Sequence, residues 1–425
     1  MSTALFRTSS ANAYDNSIRN IANRYTDLSA LQENLTSGKR VVRASDDPTS
    51  AAIAERSLTR LSRIATDQRA LESQKSAITV AESTLGSVTD ALQRFRELVV
   101  SAGNGVNSSG ERKAIAGELQ GLRDQVFALA NTEDSNGLPL FNALGSALKP
   151  FVGPNPQPQD YTFNGLPGQT PASAVAIPFA LDGDAAFMLS PKVDGAFNVS
   201  NSNPASTLQA GGVTVKDAAL VTGSTYVISN LVILPGTAAS DSKVTYDLVE
   251  TQTDGTRVPA VGVTPITSAD YTSSDTTIPI EVGGLSLSLS RTPAGSLPDT
   301  TKDIFTIQPS PSVFSVMDDA IRDIGNATTN STAAQAVAQA LHNIDIGMKN
   351  ITAVRGQAGE LLNRADRIST IQEGRSLQVE ADRSRAEDLD MVQGISDFNN
   401  LQTGYSAALQ TYAKVQQLSL FDYIR

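Results

Sequence analysis

The sequence predicts a mainly α protein with an inserted all-β domain, made of long antiparallel helical rods and a coiled coil of its two terminal segments. Three features predict this. Apolar residues recur at alternating steps of three and four near both ends; composition changes abruptly between Phe151 and Pro309; and a Gly-, Asn- and Ser-rich turn, Gly103 to Gly110, separates two strongly periodic segments. At 425 residues the chain exceeds one ordinary core. The expected division is a terminal coiled-coil domain from 1–43 with 384–425, a helical rod from 44–150 with 310–383, and a β-rich insertion at 151–309.

In chain order, Met1 to Ser10 has no periodicity and is expected to be flexible. The first helix should span Ala11 to Ser37, with Tyr14, Ile18, Ile21, Tyr25, Leu28 and Leu35 on one stripe broken at Gln32. Gly38 stops it, and Lys39 and Arg40 put positive charge beyond the negative end of its dipole. Asp46-Asp47-Pro48 starts the second helix: Asp47 caps the free amides and Pro48 fits the first turn. A metal or acid–base reading of these carboxylates lacks a third ligand or a nearby His. The second helix should run to Ala102, roughly 80 Å at 1.5 Å per residue. Its second half is the most regular heptad: Ile78, Ala81, Leu85, Val88, Leu92, Phe95 and Val99. A third helix, Glu111 to Asn131, should fold back on it through Ile115, Leu119, Leu122, Val126 and Leu129. Asn136-Gly137 then marks a tight turn, with Leu138, Leu140 and Phe141 in a short strand or hairpin.

Between Phe151 and Pro309 lie 15 of the 19 prolines but only 20 charged residues in 159, which marks a separate domain. Alternating or β-branched runs at Thr225–Leu234, Lys243–Thr251, Thr276–Val282, Leu285–Ser290 and Ile304–Gln308 predict a sandwich or barrel-like module. Gly283-Gly284 reads as a hairpin turn or bulge rather than a phosphate loop. Helical pattern resumes from Val313 to Ile324, breaks at Gly325 to Asn330, and continues through Leu341, Ile344, Met348, Ile351, Val354, Ala358, Leu361, Ala365 and Ile368. The closing helix should begin near Ser384. Met391, Gly394, Phe398, Leu401, Tyr405, Ala408, Tyr412 and Val415 form its stripe. Each terminal stripe needs a partner, and the other terminus or a neighbouring subunit can supply it.

The net charge of −11 argues against nucleic acid or an anionic membrane surface as partner. With no Cys, disulfides, thiolate zinc sites and thiol catalysis are excluded together. No apolar run reaches signal-peptide length in Met1–Ser17 or membrane-spanning length anywhere, so no membrane insertion is expected and export would use a route other than the general secretory signal. The only histidine, His342, flanks an apolar helix stripe. It cannot make a two-histidine zinc helix, and the chain has no Walker or dinucleotide glycine pattern and no nucleophile elbow. No catalysis and no cofactor are expected. A binding role remains open for the insertion, whose Ser/Thr-rich composition and 14 acidic against 6 basic residues suit recognition of a surface glycan or host receptor.

Leu35-Thr36-Ser37-Gly38-Lys39-Arg40 followed by Ser45-Asp46-Asp47-Pro48 resembles the N-terminal signature of the bacterial flagellin superfamily. Val354-Arg355-Gly356-Gln357, Leu362-Asn363-Arg364 and Ser384-Arg385-Ala386-Glu387-Asp388 resemble its C-terminal signature. The likeness covers about 10–142 and 312–425. Lys39-Arg40, Pro48 and the last eight residues, with Leu420 and Phe421 among them, resemble the junction-protein branch more than filament flagellins. The resemblance implies a flagellin-like layered architecture: an inner tube of terminal helices, a helical rod layer and a solvent-facing insertion. It further implies export by the flagellar type III apparatus, a cytoplasmic export chaperone on the C-terminal helix, and a homo-oligomeric ring between the other hook-associated protein and flagellin. A filament-forming flagellin is the alternative. The expected assembly interface joins Tyr14, Ile18, Ile21, Tyr25, Leu28 and Leu35 to Phe398, Leu401, Tyr405, Tyr412 and Val415, with Leu420 and Phe421.

Overall fold

A computed structural model describes residues 10–155, 161–203, 206, 208–234, 243–252, 256–258, 266–268, 277–291 and 302–423. The reading of Met1 to Ser9 as flexible, Thr276 and the final two residues lie outside them. The chain divides into two compact units, Met1–Arg69 with Ser369–Arg425, and Ala70–Ile368. Helices α2 (Pro48–Ala102) and α7 (Asn330–Glu387) contribute to both.

In the larger unit α2 and α7 run antiparallel, since Lys75 meets Asp366 at 2.8 Å, Glu82 meets Arg355 at 2.8 Å and Arg96 meets Asp345 at 3.1 Å. These ion pairs are exposed and fix register more than stability. The stability comes from the predicted stripe: Ile78, Ala81, Leu85, Val88, Leu92, Phe95 and Val99 are all buried, against Ile344, Ile351, Val354, Ala358 and Ala365 of the same core. Helix α3 (Ser109–Ala130) begins two residues earlier than expected because Ser108 and Glu111 form a capping box, Ser108 Oγ accepting from the Glu111 amide and Glu111 Oε2 accepting from the Ser108 amide. It pairs antiparallel with α6 (Val313–Asn326), where Arg123 Nε lies 3.0 Å from Asp318 and Tyr161 Oη donates to Asp318 at 2.6 Å.

The compositional boundary at Phe151 is not a boundary of packing. Strands β1 (Phe151–Val152) and β2 (Thr162–Phe163) and helices α4 (Gly183–Phe187) and α5 (Pro191–Asp194) precede the main sheets. Phe151, Tyr161 and Phe187 from this stretch are fully buried in the helical core, their rings 5.6, 5.1 and 5.7 Å from Phe314. Proline content suggested one β domain, but burying three large rings favours docking on the helices.

The β core draws on Phe197 to Ile307. One antiparallel sheet orders β3 (Phe197–Asn201), β12 (Phe305–Pro309), β6 (Thr225–Leu234), β7 (Lys243–Thr251) and β8 (Arg257–Val258), with β9 (Ile266–Ser268) also on β7. The second orders β10 (Thr277–Val282), β11 (Leu285–Arg291) and β4 (Leu208–Ala210), with β5 (Thr214–Val215) on β11. Val282 pairs with Leu285 across Gly283 and Gly284, at φ +49° and +83°, so these glycines make the two-residue hairpin turn. One face of α7 anchors the module. Gln339 Nε2 donates to the carbonyls of Ala210 and Gly211 (3.0 and 2.6 Å), Asn343 Nδ2 donates to Phe197 O (2.9 Å), and His342 Nε2 lies 3.0 Å from Val213 O. His342 therefore sits against the module rather than merely flanking the helix stripe.

The smaller unit holds α1 (Ser10–Ser37), the first part of α2, the last part of α7 and α8 (Met391–Tyr423). The closing helix does not start near Ser384. Helix α7 continues to Glu387, and the chain breaks at residues 388–390 before α8. Two contacts make the break: Leu389 N donates to Gly38 O at 2.9 Å, and Asp390 Oδ1 accepts from the Val392 and Gln393 amides at 3.0 and 3.1 Å. Asp390 thus caps a new helix.

Candidate assembly interface

The smaller unit is held by a polar clasp from the loop after α1 to the end of α7 and the start of α2. Arg40 N donates to Glu387 O (2.7 Å), Arg40 Nη2 donates to Ala386 O (2.8 Å) and Ser50 Oγ (3.0 Å), and Lys39 Nζ pairs with Glu387. Lys39 and Arg40, expected to serve the dipole of the first helix, spend their charge on this clasp. Asp47 caps α2 as expected, its Oδ1 accepting from the Thr49 and Ser50 amides at 3.1 Å each. Hydrogen bonds from Ser50, then the nearby Arg40 guanidinium, hold its carboxyl down to about 2.

Helices α1 and α8 pack antiparallel: the rings of Tyr25 and Tyr405 lie 6.0 Å apart, and a methyl at Gly394 would come 3.2 Å from Leu35 Cδ2. On α8 the stripe follows the predicted positions from Gly394 to Tyr412, but Met391, expected to begin it, is 44% exposed at the first residue of the helix. Phe398, Leu401, Tyr405, Ala408 and Tyr412 are half-buried, Gly394 is buried, and among the other described positions only Gly404 is less than exposed. On α1, Ile21, Leu28 and Leu35 are half-buried, whereas Ile18 and Tyr25 remain 45% and 60% exposed. Leu31 is half-buried too. Leu28, Leu31 and Leu35 keep the three-then-four step, so the stripe passes through Leu31 instead of breaking at Gln32. The side chains of Tyr14, Val415, Leu420 and Phe421 lie outside the described residues.

Among the described residues of this unit there is no apolar core. Among its described residues, Val41, Ala54, Ser57, Gln372, Ala386 and Glu387 are the buried side chains, and Gly394 is buried with them. Meanwhile Leu377 and Val392 are 74% and 82% exposed. A pair of amphipathic helices without further layers cannot bury both stripes, so this surface is suited to packing against more helices. Among the described residues no group of three or more His, Asp or Glu could hold a metal, and no helix is long and apolar enough to cross a membrane.

Two family descriptions match the chain: the bacterial flagellin N-terminal helical region over residues 9–145 and the bacterial flagellin C-terminal helical region over residues 341–424. Flagellar hook-associated protein 3 of Escherichia coli K12 is 36% identical over 146 residues, covering 32% of this chain and 44% of that protein. Its namesake in Salmonella typhimurium LT2 is 35% identical over 148 residues, covering 34% and 46%. The chain thus spans less than half the length of these curated relatives. The crystal structure of flagellar hook-associated protein 3 from Legionella pneumophila superposes with a TM-score of 0.56 at 22% identity, over 77% of this chain and 97% of that one, a likeness of fold. The two helical regions together take in more than half of the sequence, and the chain belongs to the bacterial flagellin family.

Proposed function

We propose that this chain is a structural subunit of the bacterial flagellum that forms a ring at the junction between hook and filament. The carrying observation is that the smaller unit has no apolar core among its described residues, and that its α1 and α8 stripes are half-open in the single chain. Neighbouring copies supply the missing helical layers. Tyr14, Ile18, Ile21, Tyr25, Leu28 and Leu35 of α1 and Phe398, Leu401, Tyr405, Tyr412, Val415, Leu420 and Phe421 of α8 are the proposed interface. The proposed layers are an inner tube of 1–43 and 384–425, a rod layer of 44–150 and 310–383, and an outer insertion, 151–309. The subunit is exported by the flagellar type III apparatus while a cytoplasmic chaperone covers α8, and it then meets the other hook-associated protein on one side and flagellin on the other. It carries out no catalysis. Similarity to hook-associated protein 3 of two bacteria supports the junction position.

A filament-forming flagellin is the second reading, favoured by the same family descriptions. Immunogold labelling of intact flagella with antibody to this chain separates them. The junction reading expects a single cluster of gold at the hook end of each filament; label along the filament would assign the chain to the filament instead.

A further inference from the structure

The sequence holds three Asn-Gly pairs, Asn104-Gly105, Asn136-Gly137 and Asn164-Gly165. In such a pair the glycine nitrogen can close on the asparagine side chain, because no Cβ on the second residue hinders the approach. The fold gives the three pairs different surroundings, and one of them is open to that reaction. We propose that Asn104 is a site of spontaneous modification, converting through a cyclic imide to aspartate and isoaspartate while Asn136 and Asn164 stay intact in the folded chain.

Asn104 follows the end of α2, outside the helix, and Asn104, Gly105 and Val106 are all exposed, Val106 by 86%. Asn104 Oδ1 accepts from the Val106 amide at 3.2 Å, so the side chain folds back over the intervening peptide and the hydrogen-bonded ring contains the Gly105 nitrogen. The same donor stabilises the negative charge that develops on Oδ1 when that nitrogen attacks. The Gly105 N–H donates to no described residue, and neither does Asn104 Nδ2. After losing its proton the Gly105 nitrogen bonds to Asn104 Cγ, the Cγ–Nδ2 bond breaks, and ammonia departs carrying that proton. Water then opens the imide, at the side-chain carbonyl to give aspartate or at the main-chain carbonyl to give isoaspartate. Either product adds a negative charge to the turn.

The other two pairs are held back by their neighbours. Gly137 N–H donates to Asp134 O at 3.1 Å and Asn136 Nδ2 donates to Asp134 Oδ2 at 3.3 Å, so nucleophile and leaving group are both tied to one residue and attack must first break those bonds. Around Gly165 the obstacle is steric. The Phe163 ring and the Asn142 carbonyl fill the space a Cβ would take, the carbonyl oxygen 2.8 Å from it, and leave the peptide no room to swing. At Gly105 the equivalent position meets nothing nearer than Asn330 Nδ2 at 3.5 Å. That asparagine also holds the turn, its Nδ2 donating to Gly105 O at 3.0 Å while its Oδ1 accepts from the buried Arg112. Isoaspartate lengthens the main chain by one carbon beside Gly105 and so displaces this carbonyl from Asn330. None of this chemistry depends on the flagellar position of the subunit.

Peptide mass spectrometry of the full chain incubated at pH 7 and pH 9, folded and in urea, tests the proposal. In the folded chain Asn104 should convert several-fold faster than Asn136 and Asn164, and faster at pH 9 than at pH 7 because the attacking species is the deprotonated nitrogen. In urea the three should convert at similar rates, which assigns the difference to the fold rather than to the dipeptide. Gly105→Ala, for which there is room, should slow conversion of Asn104 several-fold. An Asn104 that stays intact, conversion of Asn136 or Asn164 at a matching rate in the folded chain, or a Gly105→Ala chain that converts as fast as wild type would overturn the proposal.

Discussion

Asp319 shows most clearly how burial competes with a local ion pair. Arg322 Nη1 stands 2.7 Å from its carboxylate and Ser310 donates to it at 2.9 Å, both favouring the charged form, yet burial dominates and pushes its pKa up to about 6. The folded chain then holds this proton more tightly than the unfolded chain, whose Asp titrates near 3.8. Stability from this group is present in full below about pH 4 and is lost as the pH rises toward about 6. Urea midpoints of wild type and Asp319→Asn at pH 4, 5, 6 and 7 should diverge across that window, with the variant lacking up to about one proton of slope; parallel curves would show that the carboxyl is ionised throughout. Asp47 titrates in the opposite direction, its stabilising hydrogen bonds being present above about pH 4 and lost as the pH falls through about 2. The cap at Asp47 was legible because Asp-Pro is a local signal; the burial of Asp319 was not, because it depends on Ser310 and the β module packed over α6.

At the scale of elements, legibility tracks how local the determinants are. Helix α2 runs Pro48–Ala102 as expected because cap, stop and stripe all lie in its own sequence, and β6 and β7 match their predicted bounds for the same reason. The break before α8 is not set by local sequence alone, because Gly38, on a distant loop, takes the Leu389 amide. Phe151, Tyr161 and Phe187 were assigned to the insertion by composition, whereas their packing partner Phe314 lies far away in the sequence. The two classes of stripe should also respond differently to mutation. Leu85→Ala, at a fully buried position in the α2 stripe, should cost about 2–5 kcal/mol in denaturant titration. Leu401→Ala, half-buried on α8, should cost under about 1 kcal/mol in the monomer, yet reduce incorporation into flagella several-fold in a complementation assay. Equal losses of monomer stability would mean that α8 already belongs to a completed core.

At the scale of the whole molecule, the chain joins a unit with two apolar cores to one that has none among its described residues. The terminal stripes were legible from periodicity, and so was their need for a partner; sequence could not show how little of that need α1 and α8 meet in one another. The central claim is that the terminal helices are completed only by neighbouring subunits, and hydrogen exchange on the purified full-length monomer tests it most directly. Amides of α1 and of α8 from Met391 to Lys414 should exchange orders of magnitude faster than those of α2 from Ile78 to Val99, as expected for helices with few buried contacts. Protection of α1 and α8 equal to that of α2 would contradict the account and make the terminal coiled coil a finished structure.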